Sequence, residues 1–158
     1  MAELSSSAKK VQEALEKSGF SLQVVELPDS TRTAIEAAQA VGCQVGQIVK
    51  SLVFKGKRSG RAILVIASGA NRVNEKQIEA QIGEPLGKAD ADFVRQHTGF
   101  AIGGVPPVGH AQLLETFIDQ DLLQYSRVWA AAGTPHAVFE LDPANLTTMT
   151  GGRVVNIK

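Results

Sequence analysis

Short apolar runs separated by polar or glycine-rich breaks organise the chain, and two periodicities alternate along it. Val11, Ala14 and Leu15 share one helical face, Ser5, Ser6 or Ser7 can cap it, and Gly19 stops it, which predicts a helix over 5–18. Residues 21–27 alternate polar and apolar positions as a half-buried strand does, and Pro28 closes it. The polar stretch 29–33 offers caps for a second helix through Val41, whose small Ala34, Ala37 and Ala38 permit close packing. Residues 47–54 predict a buried strand. Residues 61–67 predict another, because Ala-Ile-Leu-Val-Ile-Ala is continuously apolar, the pattern of a strand covered on both faces. The glycine-rich, basic segment 55–60 reads as a hairpin-type connection between them.

Farther on, Asn74 caps a helix to about Ile82, and 83–87 reads as loop. Asp90 or Asp92 opens a helix through His97 that Gly99 ends. Residues 116–118 predict a short strand, followed by a brief helix after a turn at Asp119 and Asp121. Strands at 128–132 and 137–141 are joined by Gly133-Thr134-Pro135-His136. Pro143 suits the first position of a last helix, ended by Gly151-Gly152 before a final strand over 153–157. Strands and helices mix without regular alternation, so the pattern implies the α+β class, with 1–158 read as a single domain.

Two stretches depart from this plain patterning. Lys50 stands inside an otherwise apolar strand, where lysine is rare without a partner. It either points at an anion or protects a sheet edge. The segment 99–110, Gly-Phe-Ala-Ile-Gly-Gly-Val-Pro-Pro-Val-Gly-His, joins adjacent glycines to adjacent prolines. The glycines admit close backbone approach, and the prolines stiffen the end of the loop. Such a loop suits a small-ligand site built from main chain, and equally a tight connection between strands.

Composition narrows the classes. Hydrophobic residues make up 44% and charged ones 20%, and Lys+Arg and Asp+Glu number 16 each, giving a formal net charge of zero. That disfavours a protein that coats nucleic acid by bulk charge or a DNA-binding regulator, but not one that grips only the end of an RNA. The single cysteine, Cys43, precludes an internal disulfide and fits a reducing, cytoplasmic setting; it reads as a structural thiol ahead of a nucleophile. No apolar run is long enough to span a membrane. His97, His110 and His136 lack close metal-ligand spacing, and neither a nucleophile elbow nor a phosphate-binding P-loop is present, so no metal or cofactor is expected. Asp119 and Asp121 read as a helix cap and a solvated group ahead of a catalytic pair.

The segments 46–54 (Gly-Gln-Ile-Val-Lys-Ser-Leu-Val-Phe), 67–73 (Ala-Ser-Gly-Ala-Asn-Arg-Val), 99–110 and Gly133-Thr134-Pro135-His136 occur in an order that resembles the YbaK/ProX family of aminoacyl-tRNA deacylases, and the editing insertion of bacterial prolyl-tRNA synthetases. The resemblance implies a mixed, barrel-like sheet surrounded by helices. It implies a freestanding enzyme acting on the 3′ acceptor end of aminoacyl-tRNA, above all tRNA(Pro) carrying a small wrong amino acid, with prolyl-tRNA synthetase as candidate protein partner. Lys50 would hold the phosphate or ribose of the terminal adenosine. Gly103, Gly104, Val105 and Pro106 would cradle the scissile carbonyl and a water. Thr134 and His136 would line the amino-acid end, and Thr31 and Thr33 the pocket mouth, although capping accounts equally well for one threonine. His110 is included among the substrate contacts, with a hydrogen bond that shapes the loop as its alternative use. A non-catalytic aminoacyl-tRNA or nucleotide-binding module is the alternative function.

Overall fold

The computed structural model describes residues 4–158. In chain order the elements are α1 (Ser6–Lys17), β1 (Val24–Glu26), α2 (Ala34–Val41), β2 (Ile48–Gly56), β3 (Ala62–Ser68), α3 (Glu75–Ile82), β4 (Leu86–Lys88), α4 (Ala91–Thr98), β5 (Glu115–Asp119), β6 (Val128–Ala131), β7 (Ala137–Leu141), α5 (Ala144–Thr150) and β8 (Arg153–Val155). Single 3-10 turns, Val45–Gln47 and Gln120–Gln124, precede β2 and follow β5.

The α+β class holds: eight strands form one mixed sheet in the order β1-β7-β6-β2-β3-β5-β8, with β4 branching from β2. The ladders β2–β6, β3–β5 and β5–β8 are parallel and the others antiparallel. β3 is the spine, and every one of its residues is buried. Leu64 and Ile66 enter the larger core beneath α1 with Phe100, Ile118 and Phe139. Ile63, Val65 and Ala67 enter a second core with Ile78, Leu86 and Phe117. Alternate residues of a strand face opposite sides, so a continuous apolar run is what two covered faces require. Each such side chain contributes roughly 1.5–3 kcal/mol by leaving water. A third, small cluster packs Ala37 and Ala38 of α2 on Ile48, with Trp129 at its margin.

Local chemistry sets the helix ends. Thr33 and Glu36 form a capping box on α2, with the Glu36 N–H donating to Thr33 Oγ1 at 3.1 Å. Asp90, rather than Asp92, caps α4. Pro143 has helical angles, φ −59° and ψ −26°, at the start of α5, and Asp142 Oδ1 accepts the Ala144 N–H just ahead of the helix.

Two expectations need correction. The segment read as loop at 83–87 runs into strand β4, which pairs with Phe54, Lys55 and Gly56. Three residues are too few to carry a period, and burial of Leu86 in the second core recruits them. The strands expected over 21–27 and 153–157 shrink to β1 and β8, three residues each, because their ladders end there.

Candidate functional site

β2 is paired with β3 along its length, but its other edge is covered only at its ends. β6 meets Ile48 and Val49, and β4 meets Phe54 to Gly56. From Lys50 to Val53 that edge has no strand beside it. Its polarity is set by the register. Gly69 N–H donates to Ile48 C=O and Gly56 N–H to Arg61 C=O, on the same register as the β2–β3 ladder. Even-numbered residues of β2 therefore turn their main-chain groups towards β3, and the odd-numbered Ser51 and Val53 turn theirs to the open side.

A cavity of about 670 Å³ lies at this gap. Its apolar wall includes Val49, Val53, Val94, Val105, Ala130 and Val138, and Trp129 and Ile102 also border it. Thr31, Arg32 and Thr33 border it ahead of α2. Arg32 and Lys50 are the charged residues of the lining, and no carboxylate is among them. A neutral chain thus concentrates positive charge at one concave place, where an anion is favoured.

Lys50 Nζ donates to the Asn71 carbonyl at 3.1 Å. Burial pushes its pKa below the ordinary lysine value, and the nearby Arg72 guanidinium pushes the same way, against the opposing pull of Asp119. Asn71 is itself held in place: its Nδ2 donates to Asp119 Oδ2 at 2.8 Å and to Asp121 Oδ2 at 2.9 Å. Asp119 is buried, accepts Ser68 N–H, and caps the turn after β5 through Asp121 N–H. Asp121 pairs with Lys158 at 2.9 Å, and that contact, aided by Asn71, holds its carboxyl below the usual range. The two aspartates are therefore a cap and a surface ion-pair partner. Through Asn71 they also fix the carbonyl on which Lys50 rests.

Of the residues expected to form the site, Lys50, Gly103, Val105, Thr31 and Thr33 share the cavity. Gly103 has φ +94°, a conformation that favours glycine, beside the Arg32 stem. Both threonine hydroxyls already have partners. Thr33 caps α2, and Thr31 Oγ1 donates to the Pro135 carbonyl at 3.0 Å.

Gly104, Pro106, His110, Thr134 and His136 do not line the cavity, and each has a visible structural use. Gly104 presses on the 133–136 turn: a Cβ there would sit 2.9 Å from Gly133 C and O and Thr134 Cα, while Gly104 C=O accepts Gly133 N–H at 2.8 Å. Thr134 Oγ1 accepts His136 N–H, and His136 Nδ1 meets the Asp29 carbonyl. His110 donates from Nε2 to the Pro106 carbonyl at 2.7 Å. Burial holds its pKa below the ordinary histidine value, more than that hydrogen bond raises it. The loop 99–110 thus stands on the 133–136 turn and presents only its upper part to the cavity.

Sequence reasoning missed Arg32, Ser51, Trp129, Ala130 and Val138 on the cavity lining. Ser51 was visible within the lysine strand, but only the sheet register reveals its open edge. Trp129, Ala130 and Val138 come from β6 and β7, brought to the cavity by parallel pairing of β2 with β6, which has no local signal, whereas Arg32 stands between Thr31 and Thr33 in the segment already expected at the pocket mouth. Among the described residues no group of three His, Cys, Asp or Glu side chains is placed to hold a metal, and no helix is long and apolar enough to cross a membrane.

Comparison with known proteins gives these features a context. The profile of the aminoacyl-tRNA editing domain family matches residues 28–149. A protein of Enterococcus faecalis, named as a candidate Cys-tRNA(Pro)/Cys-tRNA(Cys) deacylase, is 26% identical over 79% of this chain and 76% of its own length. The proline–tRNA ligase of Limosilactobacillus fermentum is 31% identical over 57% of this chain, a match spanning 16% of the ligase. A crystal structure of a candidate trans-editing enzyme for prolyl-tRNA synthetase superposes with a TM-score of 0.93 at 55% identity, covering 99% of both chains.

Proposed function

The chain belongs to the aminoacyl-tRNA editing domain family, and from that premise we propose that it removes, in trans, a small non-cognate amino acid from tRNA(Pro). As a member it is an aminoacyl-tRNA deacylase, related to the editing domain of prolyl-tRNA synthetase. The observation that carries the finer reading is the cavity itself, with two cations, no carboxylate and an open main-chain edge on its border.

The cations suit the phosphate–ribose end of a tRNA, and the apolar wall suits a small side chain. The ester of an aminoacyl-tRNA is already activated, and the neighbouring ribose hydroxyl can assist water, so the protein need supply only position and electrostatic stabilisation. In this reading Lys50 holds the phosphate or ribose of the terminal adenosine, with Asn71 setting its direction. The upper loop at Gly103 and Val105 meets the scissile carbonyl. Gly104, Pro106, His110, Thr134 and His136 act by holding that loop in place. Editing is needed because a synthetase pocket rejects a slightly smaller side chain by only about 1–3 kcal/mol.

The test is single-turnover deacylation of tRNA(Pro) charged with alanine, serine, 2-aminobutyrate or phenylalanine. We expect the three small esters to be cleaved and phenylalanine spared. Equal rates on all four would remove the sizing pocket, and retention of every ester without cleavage would make the protein a binding module.

A further inference from the structure

The cavity poses a recognition problem that its side chains do not solve. An aminoacyl ester carries an α-amino group, and the lining has no carboxylate to receive it. Arg32 and Lys50, both on the lining, favour the amine in its neutral form, since like charges disfavour the ammonium. A neutral amine both donates and accepts hydrogen bonds.

The open edge of β2 offers both partners. Ser51 and Val53 line the cavity and turn N–H and C=O away from β3; the Phe54–Lys88 pairing sets the Val53 carbonyl against the β4 side, whereas the Ser51 N–H, the Ser51 C=O and the Val53 N–H have no strand beside them. Among the described residues none of those three groups has a hydrogen bond outside the strand ladders. Ser51 adds a further polar group: its Oγ is buried and, among the described residues, has no partner. Buried polar groups are nearly always paired, so the unpartnered Ser51 Oγ, beside main-chain groups of the same residue that face the cavity, marks a place prepared for a ligand. The open run is only four residues long and is blocked by β6 at one end and β4 at the other. A peptide strand cannot extend along it, whereas a single aminoacyl unit fits.

We propose that this edge reads the α-amino group of the aminoacyl ester. The Ser51 carbonyl accepts an N–H bond from it, the Val53 N–H donates to its lone pair, and a turn of Ser51 about χ1 adds the hydroxyl. The proposal rests on the deacylase reading and deepens it. Recognition of the amine is then independent of the side chain, and tRNAs whose amino acid is N-acylated, as in peptidyl-tRNA, are spared.

The experiment compares tRNA(Pro) carrying alanine, N-acetylalanine and propionate, which is alanine without its amino group. Each single-turnover rate is divided by the spontaneous hydrolysis rate of the same ester. Both altered esters should be cleaved at least about 30-fold more slowly than alanine, the loss expected when a polar site is left unpaired. Propionate within about threefold of alanine overturns the proposal while leaving the deacylase reading intact. A second measurement does not depend on cleavage. Adenosine carrying alanine or propionate as a stable 3′-amide is titrated, with the Ser51 and Val53 amide resonances followed. About tenfold tighter binding of the alanine amide, with shifts at those two amides, supports the edge even if no ester is cleaved and the deacylase reading falls. Equal binding, or none, overturns it.

Discussion

The two edges of β2 make the most instructive contrast in the molecule. Towards β3 the strand is paired from Val49 to Lys55, and its partner's side chains are fully buried. Towards β6 and β4 it is paired only at its ends, and the stretch between them borders the cavity. One strand thus has a closed edge that holds the fold and an open edge available for chemistry. A site built on the open edge is placed by a ladder to β3, a strand buried along its whole length, which limits its freedom to drift.

The contrast can be broken from either side. The largest effect is expected at the open side. Lys50→Ala should reduce single-turnover deacylation by about 100-fold or more, corresponding to about 3 kcal/mol at about 1.36 kcal/mol per tenfold. Its melting temperature should stay near that of the wild type. Undiminished turnover in a folded variant would return Lys50 to the role of an edge lysine. The closed side should behave in the opposite way. Leu64→Ala, fully buried opposite Val53, should cost about 2–5 kcal/mol of unfolding free energy in urea titration. Its remaining folded fraction should keep the substrate ranking of the wild type. A changed ranking would mean that the two edges are not separable.

A smaller effect sharpens the division inside the site. Gly103→Ala should lose roughly tenfold on every substrate, because a Cβ at positive φ costs about 1–2 kcal/mol and displaces the loop common to all. Ala130→Val, on the apolar wall, should instead slow the larger side chains selectively. Uniform loss in both variants would erase the distinction between loop and wall. The smallest effect concerns His110. Burial disfavours its protonated form and holds its pKa below the ordinary histidine value. The stability this contributes is fully present above its ordinary pKa of 6.5 and is lost as pH falls below it, because the unfolded chain takes up the proton more readily. The melting temperature should fall between about pH 7 and pH 5, and fall less in His110→Gln. Identical pH profiles for the two proteins would take His110 out of that dependence.

Much of the frame was legible in the residues. The apolar run within 61–67 announced a strand covered on both faces, and the polar stretch 29–33, Asn74, and Asp90 or Asp92 marked three helix starts. Lys50 stood out because its strand is apolar, and Gly103 because two glycines precede two prolines. What stayed hidden depended on pairing. β4 is too short to show alternation, and the open edge exists only because β6 and β4 stop short of each other. Gly104 has the same sequence signature as Gly103. Only the nearness of the Gly133 turn shows that its missing Cβ makes room for protein rather than ligand. Motif matching groups His136 and Thr134 with Lys50, whereas hydrogen bonds within the turn and to Asp29 account for their placement away from the cavity.

Trp129 has a practical consequence. It is the chain's single tryptophan, and it borders the cavity beside Ala130. The indole emission of the unlabelled protein therefore comes from one known position, sensitive to polarity and to quenching by a stacked nucleobase. Arrival of an adenosine-linked ligand can be followed optically in real time, with no dye to disturb the cavity and no second emitter of the same kind to confuse the signal.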